Sequence, residues 1–561
     1  MSNDTSKRVY GIDLGTTYSA ISYINEHGKA EIITNSDNER VTPSVVFFES
    51  EENVVVGRIA KESAKTDPDR VVDFVKRQMS SKDWTFAVED KQYKPEEISA
   101  HILRRLVGDA KKTGEHDVKD VVITCPAYFG DLERERTRQA GVLAGLNVVE
   151  ILDEPVAAAI NYGLNEDSKG KNVIVYDLGG GTFDVTVVRI GNDPDKYEIS
   201  IVCTEGNHQL GGKDWDDQIV NYFAREFQNQ TGCVDDPLED IETAYDLRLN
   251  AENDKKTLTN KTKISRRVFF EGEKAVIELT QEKFEEMTAD LLKATIDLTD
   301  KVLEEAKKRG VEKIDTFLLV GGSTRMPQIK AKLIEKYGDS LGVTPVEFDV
   351  DEAVAKGAAK AGEIEVIKSK VNELLNAGDD DELVLVFEDL SEAEQKEKIE
   401  TIAEQTGKTE EEILLAVTTK LTKVATKSYG IRALKDGKPV VYNLIVKQTP
   451  VPAEAGRVFG TGGANAEEID LFVFMNNESE QNVPLEMGEE IGQAVFVLDG
   501  NLPDKAPIEI TFKLSDQGML SLIGVDKTHG KTITAEFKAE GVMSAEEFAA
   551  AQKRQRELTV D

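Results

Sequence analysis

Short apolar runs recur through the first two thirds of the chain, each followed by a stretch with helical spacing. Val121-Val122-Ile123-Thr124, Val173-Ile174-Val175-Tyr176 and Thr316-Phe317-Leu318-Leu319-Val320 are the clearest. This alternation, from about Arg8 to Gly362, predicts an α/β unit. From about Glu363 to Thr426 the pattern becomes charged and helical. It holds an acidic triplet, Asp379-Asp380-Asp381, and a capping box of Ser391 with Glu394 ahead of a helix. From about Lys427 onward, short strands broken by Asp436-Gly437, Gly462-Gly463, Asn476-Asn477 and Asp499-Gly500 predict a β-sandwich. A second capping box, Ser544 with Glu547, opens a short helix to about Leu558. The expected division is therefore 8–362, 363–426, 427–540 and 541–561.

Charge and cysteine usage narrow the function classes. The 561 residues carry 69 Lys and Arg against 105 Asp and Glu, a net charge of −36. Nucleic acid and an anionic membrane surface are therefore not expected as partners. Cys125, Cys203 and Cys233 are far apart and form neither a disulfide framework nor a metal spacing, which favours a reducing, cytoplasmic compartment. No apolar run follows Met1-Ser2-Asn3-Asp4, so no signal peptide is expected, and no run reaches the roughly 18 apolar residues of a membrane span.

Repetition carries more information than composition. Gly11-Ile12-Asp13-Leu14-Gly15-Thr16-Thr17-Tyr18 returns far downstream as Tyr176-Asp177-Leu178-Gly179-Gly180-Gly181-Thr182-Phe183. Both copies read as strand, Asp-Leu-Gly, hydroxyl-bearing turn, strand. This predicts a duplicated fold with two facing lobes. One such element would be explained as a tight turn. Two with the same order point to phosphate chemistry: glycine amides form an anion nest, Thr16, Thr17 and Thr182 add hydroxyls, and Asp13 and Asp177 suit Mg²⁺ through its waters. A third element, Val320-Gly321-Gly322-Ser323-Thr324-Arg325-Met326-Pro327, places a glycine pair before a helix start. Gly211-Gly212 is a fourth pair, by itself a turn. Neither a P-loop nor a dinucleotide fingerprint occurs.

These three elements, in this order, resemble the actin-like ATPase superfamily, and in detail the DnaK-type seventy-kilodalton heat-shock chaperones. The resemblance is close from about Val9 to Ala361 and looser from about Ser428 to Ala539. It implies an ATP-dependent chaperone that hydrolyses ATP to ADP with Mg²⁺, and K⁺ as a further candidate ion. Lys76, in Phe74-Val75-Lys76-Arg77, matches the family lysine that positions the attacking water; on residue type alone it is a surface lysine. Glu154, in Asp153-Glu154-Pro155, would join Asp13 and Asp177 as an outer-shell Mg²⁺ carboxylate; alone it is a helix-start acid. Asp177 and Thr182 would complete the catalytic set. Gly15, Thr16, Thr17, Tyr18, Gly179, Gly180, Gly181, Gly211, Gly212, Gly321, Gly322 and Ser323 would hold the nucleotide. Glu252, Lys255, Lys256 and Thr259 would clamp adenosine, facing Arg325 and Asp351. Pro126 matches a proline that relays nucleotide state.

The resemblance also implies a peptide channel in the sandwich, formed by Ile431, Leu434, Phe459, Gly462, Ile469 and Leu471. The plainer reading of these residues is sandwich core. Unfolded polypeptides, a J-domain cochaperone and a nucleotide-exchange factor are the implied partners. Four departures stand out. The interdomain segment is long; Lys420-Leu421-Thr422-Lys423-Val424 before the sandwich is basic, while the acidic, leucine-bearing 381–387 lies upstream, and which of them docks is open. Only one helix, from about Met543 to Leu558, stands where the family has a lid, so fast peptide release is expected. Lys256 replaces an arginine at the adenine-stacking position, and Lys213 stands where an acid is usual. A nucleotide-gated scaffold without productive peptide cycling is the alternative, and a sugar-kinase-like phosphotransferase is disfavoured by the β domain.

Overall fold

The computed structural model describes residues 8–50, 52–114, 116–163, 169–193, 198–375, 387, 390–537 and 541–561. Strands Val9–Asp13 and Tyr18–Ile24 pair antiparallel as the first hairpin. Ala30–Ile32 extends it on one side; Asp120–Cys125 and then Asn147–Asp153 add in parallel on the other. The second hairpin, Asn172–Leu178 with Phe183–Ile190, repeats this arrangement. Glu198–Asn207 extends it, and Thr316–Val320 and then Val346–Glu347 add in parallel. Both lobes thus share one strand order, the duplicated α/β architecture that the matching hairpins predict. The central strands are covered on both faces, and residues 121–123, 173–176 and 317–319 are fully buried.

Two helices, Glu154–Gly163 and Ala353–Leu375, cross between the lobes, and small residues set their approach. A Cβ on Gly357 would lie 1.8 Å from the Ala157 carbonyl oxygen, and one on Gly11 would lie 2.1 Å from the Ala359 nitrogen. Only glycine permits these contacts. They bring the hairpin tips face to face, Gly180 against Thr17 and Gly181 against Thr16.

Helix Ala353–Leu375 runs through residue 362 without a break. Its far end joins Glu392–Thr406 and Glu410–Thr418 around a small core of Ile364, Ile367, Val371, Phe387, Ile402 and Ile413. Ser391 forms the expected capping box, and Thr409 with Glu412 forms another. The acidic triplet lies outside the described residues, as does 381–387 apart from Phe387. The helical texture expected to about Thr426 ends at Thr418. Lys420–Val424 is instead a strand, parallel to Glu198–Asn207 on the open edge of the second lobe's sheet. A strand edge exposes unpaired amides and carbonyls, and this segment satisfies them. Lys423, buried, spans to the first lobe: Nζ donates to Glu150 Oε1 at 3.0 Å and to the Ile151 carbonyl at 3.1 Å. The basic segment therefore docks, on the second lobe's sheet edge and across to the first lobe.

The sandwich follows. One sheet runs Asn482–Pro484, Lys438–Ile445, Ser428–Lys435, Glu468–Asn476, Glu489–Val497; the other runs Ala453–Gly460, Pro507–Leu514, Leu520–Asp526, Thr532–Phe537. Asp436 and Gly437, both at positive φ (53° and 77°), make the tight turn of the first hairpin. The sandwich sits against both lobes. Gln448 acts as a strand mimic, its Oε1 accepting from Thr204 N at 3.1 Å and its Nε2 donating to Thr204 O at 2.6 Å. Lys447 pairs with Glu205, Arg138 donates to Gln517, and the Tyr429 hydroxyl meets the Asp131 carboxylate at 3.3 Å.

The C-terminal helix Ala545–Glu557 lies on the first lobe, not on the sandwich. Arg554 pairs with Glu97 at 2.6 Å, Gln555 donates to the Glu97 carbonyl, and Arg104 donates to the carbonyls of Gln555 and Leu558. Leu558 enters the first lobe's core. Thr559–Val560 then adds a parallel strand beside Asn53–Val56, and Val56 N donates to the Asp561 carbonyl at 2.8 Å.

Burial of Asp131 beneath the sandwich, against Tyr429 and Gly518, makes docking pH-dependent. Desolvation raises the Asp131 carboxyl, Arg134 and the Tyr429 hydroxyl lower it, Glu133 adds repulsion, and the result is about 7. Docking therefore takes up a proton, and its contribution is lost as pH rises from about 4 through about 7. Resonance energy transfer between the first lobe and the sandwich is expected to show weaker docking at pH 8 than at pH 5.5, with the difference much reduced in Asp131→Asn.

Candidate functional site

The facing hairpin tips, the turn at 74–78 and the helix starts enclose an interlobe cleft of about 1250 Å³. Asp13 ends the first strand of one lobe, Asp177 lies one residue before the end of the equivalent strand in the other, and Glu154 is the first residue of the crossing helix. Lys76 reaches this floor from the short turn Val75–Gln78, and its Nζ donates to Glu154 Oε1 at 2.6 Å with both side chains buried. Thr124 Oγ1 donates to Asp13 Oδ1 at 3.4 Å.

The electrostatics follow from three acids and one lysine crowded on the cleft floor. Burial, with Glu154 beside it, pushes the Asp13 carboxyl up to about 7 against the pull of Lys76. Asp177 is raised well above the carboxylate range by burial, Glu154 and Asp13. Burial alone would discharge Lys76, but Glu154 and Asp13 hold its ammonium above the usual lysine value. Such a cluster is relieved by a further cation. Contact of these carboxylates with a hydrated divalent ion through its waters fits the cluster. The Thr17 hydroxyl is packed against Gly180 of the facing hairpin and has no hydrogen-bond partner. The donor set fits Mg²⁺ with a polyphosphate.

The far end of the cleft is a charged clamp. Tyr18 OH donates to Glu252 Oε1 at 2.8 Å; Lys256 pairs with the same oxygen at 2.7 Å, and Lys61 pairs with Glu252 Oε2. Burial would raise Glu252, yet Lys61 and Lys256 bring it down to about 2. Lys256 Nζ stands 5.1 Å above the Tyr18 ring. Across from it Arg325 grips Asp351 with two hydrogen bonds, at 2.8 and 2.6 Å. Lys255 bridges Asp216 and the Gly212 carbonyl, both at 2.8 Å, and Ser323 donates to the Gly179 carbonyl.

Gly15, Thr16, Thr17, Thr182, Gly179, Gly180, Gly321, Gly322 and Thr259 line the cleft with these residues. Gly211 packs on Gly181, a Cβ on it falling 2.5 Å from the Gly181 backbone; a Cβ on Gly181 would meet Thr16, and one on Gly212 would meet Ser323 Oγ at 2.4 Å, beside the cleft. Lys61 and Asp216 are cleft residues that sequence reasoning missed. Asp216 follows Gly211-Gly212 closely enough to have been flagged, whereas Lys61 sits in a short helix without a motif. In the sandwich, Ile431 and Leu471 are buried in the core, Phe459 and Ile469 are half-buried against it, and Leu434 and Gly462 are exposed.

Comparison with known proteins agrees with this geometry. A family profile described as "Hsp70 protein" matches residues 9–411. The chaperone protein DnaK of Halobacterium salinarum is 34% identical over 555 residues, covering 97% of this chain and 77% of the relative. DnaK of Thermosipho melanesiensis is 33% identical over 555 residues, covering 97% and 83%. DnaK of Thermotoga petrophila is 40% identical over 360 residues, covering 63% of this chain and 58% of the relative. With a cleft of this chemistry between duplicated lobes and likeness along nearly its whole length, the chain belongs to the Hsp70 chaperone family.

Proposed function

We propose that the chain hydrolyses ATP to ADP and phosphate in this cleft and couples that cycle to extended hydrophobic polypeptides. The observation that carries the reading is the convergence of Asp13, Glu154 and Asp177 from both lobes on the buried Lys76, beside the unpartnered Thr17 hydroxyl. When bound, Mg²⁺ supplies charge neutralisation on the β- and γ-phosphates. Asp13, Glu154 and Asp177 orient its water shell. Protonated Lys76 places a positive charge at the γ-phosphate end and donates a hydrogen bond to the attacking water. The Thr182 hydroxyl and the Asp177 carboxylate fix that water's direction, which is the larger part of the catalysis such a transfer needs. The Glu252, Lys256 and Arg325 groups hold the nucleoside.

The proposed division of labour is nucleotide binding in 8–362, a helical segment and linker in 363–426, peptide binding in 427–540 and the terminal helix in 541–561. A J-domain cochaperone, a nucleotide-exchange factor and a cytoplasmic setting belong to the same reading; among the described residues no helix is long and apolar enough to cross a membrane. One observation favours the second reading, a nucleotide-gated scaffold. Ile431 and Leu471 are taken up by the sandwich core, and Leu434 stands exposed. An ATPase rate raised by an extended hydrophobic peptide supports the chaperone cycle; an unchanged rate supports the scaffold.

Two variants test the site. Thr182→Ala is expected to slow single-turnover hydrolysis about tenfold or more while Mg-ATP binding by calorimetry holds within about threefold; unchanged turnover removes its role. Lys256→Arg restores a planar guanidinium at the adenine face and is expected to tighten ADP binding by about threefold or more; equal affinity would show that the stacking position is elsewhere.

A further inference from the structure

We propose that Arg77 is a positioning residue that bolts the Lys76 turn of the first lobe to the phosphate hairpin of the second; this rests on the hydrolysis reading above. Arg77 is adjacent to Lys76 in the turn Val75–Gln78, yet its side chain turns away from the Lys76–Glu154 pair and crosses the cleft. Nε donates to the Gly181 carbonyl at 2.7 Å. The two terminal nitrogens meet both oxygens of Asp214, at 2.6 and 3.3 Å. The Arg77 side chain is 7% exposed and that of Asp214 21%, so the fork works in a poorly solvated place, where two-point geometry is strongly held.

Each partner is tied to the phosphate region. Gly181 immediately precedes Thr182, and the peptide between them is planar and trans, so holding its oxygen fixes the direction of the Thr182 N–H. Asp214 Oδ2 also accepts from Gly211 N at 2.7 Å, which secures the start of helix Gly212–Thr231. That helix start in turn holds the hairpin, since Gly212 N and Lys213 N donate to the carbonyls of Gly179 and Gly180. A second contact across the cleft supports the same turn. Lys213 Nζ lies 5.5 Å from the ring centre of Phe74, whose φ of 52° is costly for an aromatic residue unless its surroundings hold it. Arg77 thereby sets the distance between the Lys76 ammonium and Thr182, two groups on different lobes. Misplacement by about 1 Å between such groups costs on the order of a hundredfold in rate.

The test compares wild type, Arg77→Met, Arg77→Lys and Asp214→Asn in the full chain. Arg77→Met is expected to slow single-turnover ATP hydrolysis about twentyfold or more, with the Kd for Mg-ADP within about threefold of wild type. Arg77→Lys keeps the charge without the fork and is expected to recover only part of the rate. The double variant Arg77→Met/Asp214→Asn is expected to lose little beyond Arg77→Met alone, because both ends belong to one bolt. Unchanged turnover, or a Kd that weakens by the same factor as the rate falls, overturns the inference. If Arg77→Met fails to fold, as judged by circular dichroism, Asp214→Asn carries the same criteria. If wild type itself does not hydrolyse ATP, the hydrolysis reading fails; hydrogen exchange at residues 75–78 in Mg-ADP then decides the bolt. Faster exchange in Arg77→Met supports it, and equal exchange overturns it.

Discussion

Three carboxylates from two lobes converge on one buried ammonium, and that charge imbalance organises the molecule. Burial and the neighbouring Glu154 raise both Asp13 and Asp177, and Lys76 offsets only part of that. A site of this kind is costly to the folded chain unless a cation completes it. The backbone pays that cost through close packing: Gly357 on Ala157, Gly11 on Ala359 and Gly181 on Gly211 let helices and hairpins approach to backbone contact. These contacts fix the lobes at the separation where both hairpin tips face the same space.

Much of this was legible in the chain because it is local. Asp-Leu-Gly followed by hydroxyls appears twice, and each copy folds as a hairpin whose acid lies at or next to a strand end. Capping boxes at Ser391 and Ser544 announce helices by a spacing of three residues, and both form. What escaped were pairings between distant residues. Lys61 reaches Glu252 over 191 positions, and nothing near Lys61 signals it. Lys420–Val424 reads with the helical stretch because its charged composition resembles its neighbours. An open sheet edge in the second lobe decided otherwise, and no window of sequence shows that edge. The sandwich residues assigned to a peptide channel alternate as any strand does, so periodicity could not separate core-facing from groove-facing positions.

The linker and the sandwich make one continuous seam with the second lobe. Lys420–Val424 extends its sheet, Pro450–Val451 pairs beyond that strand, and Gln448 bonds the backbone of Thr204 as a further strand would. Lys423 carries the seam across to Glu150 in the first lobe. A basic residue in this linker is thus matched by an acid opposite it, and the linker reports on both lobes at once.

The terminal segment gives the sandwich a second mooring. At one end the sandwich hangs from the linker strand; at the other, six residues after Phe537 lead to the helix cap at Ser544, already seated on the first lobe. Six residues span roughly 20 Å when fully extended. A span fixed at both abutments cannot swing as a door does. Wide excursions of the sandwich would then require Thr559–Val560 to unzip from Asn53–Val54 and Leu558 to leave the core.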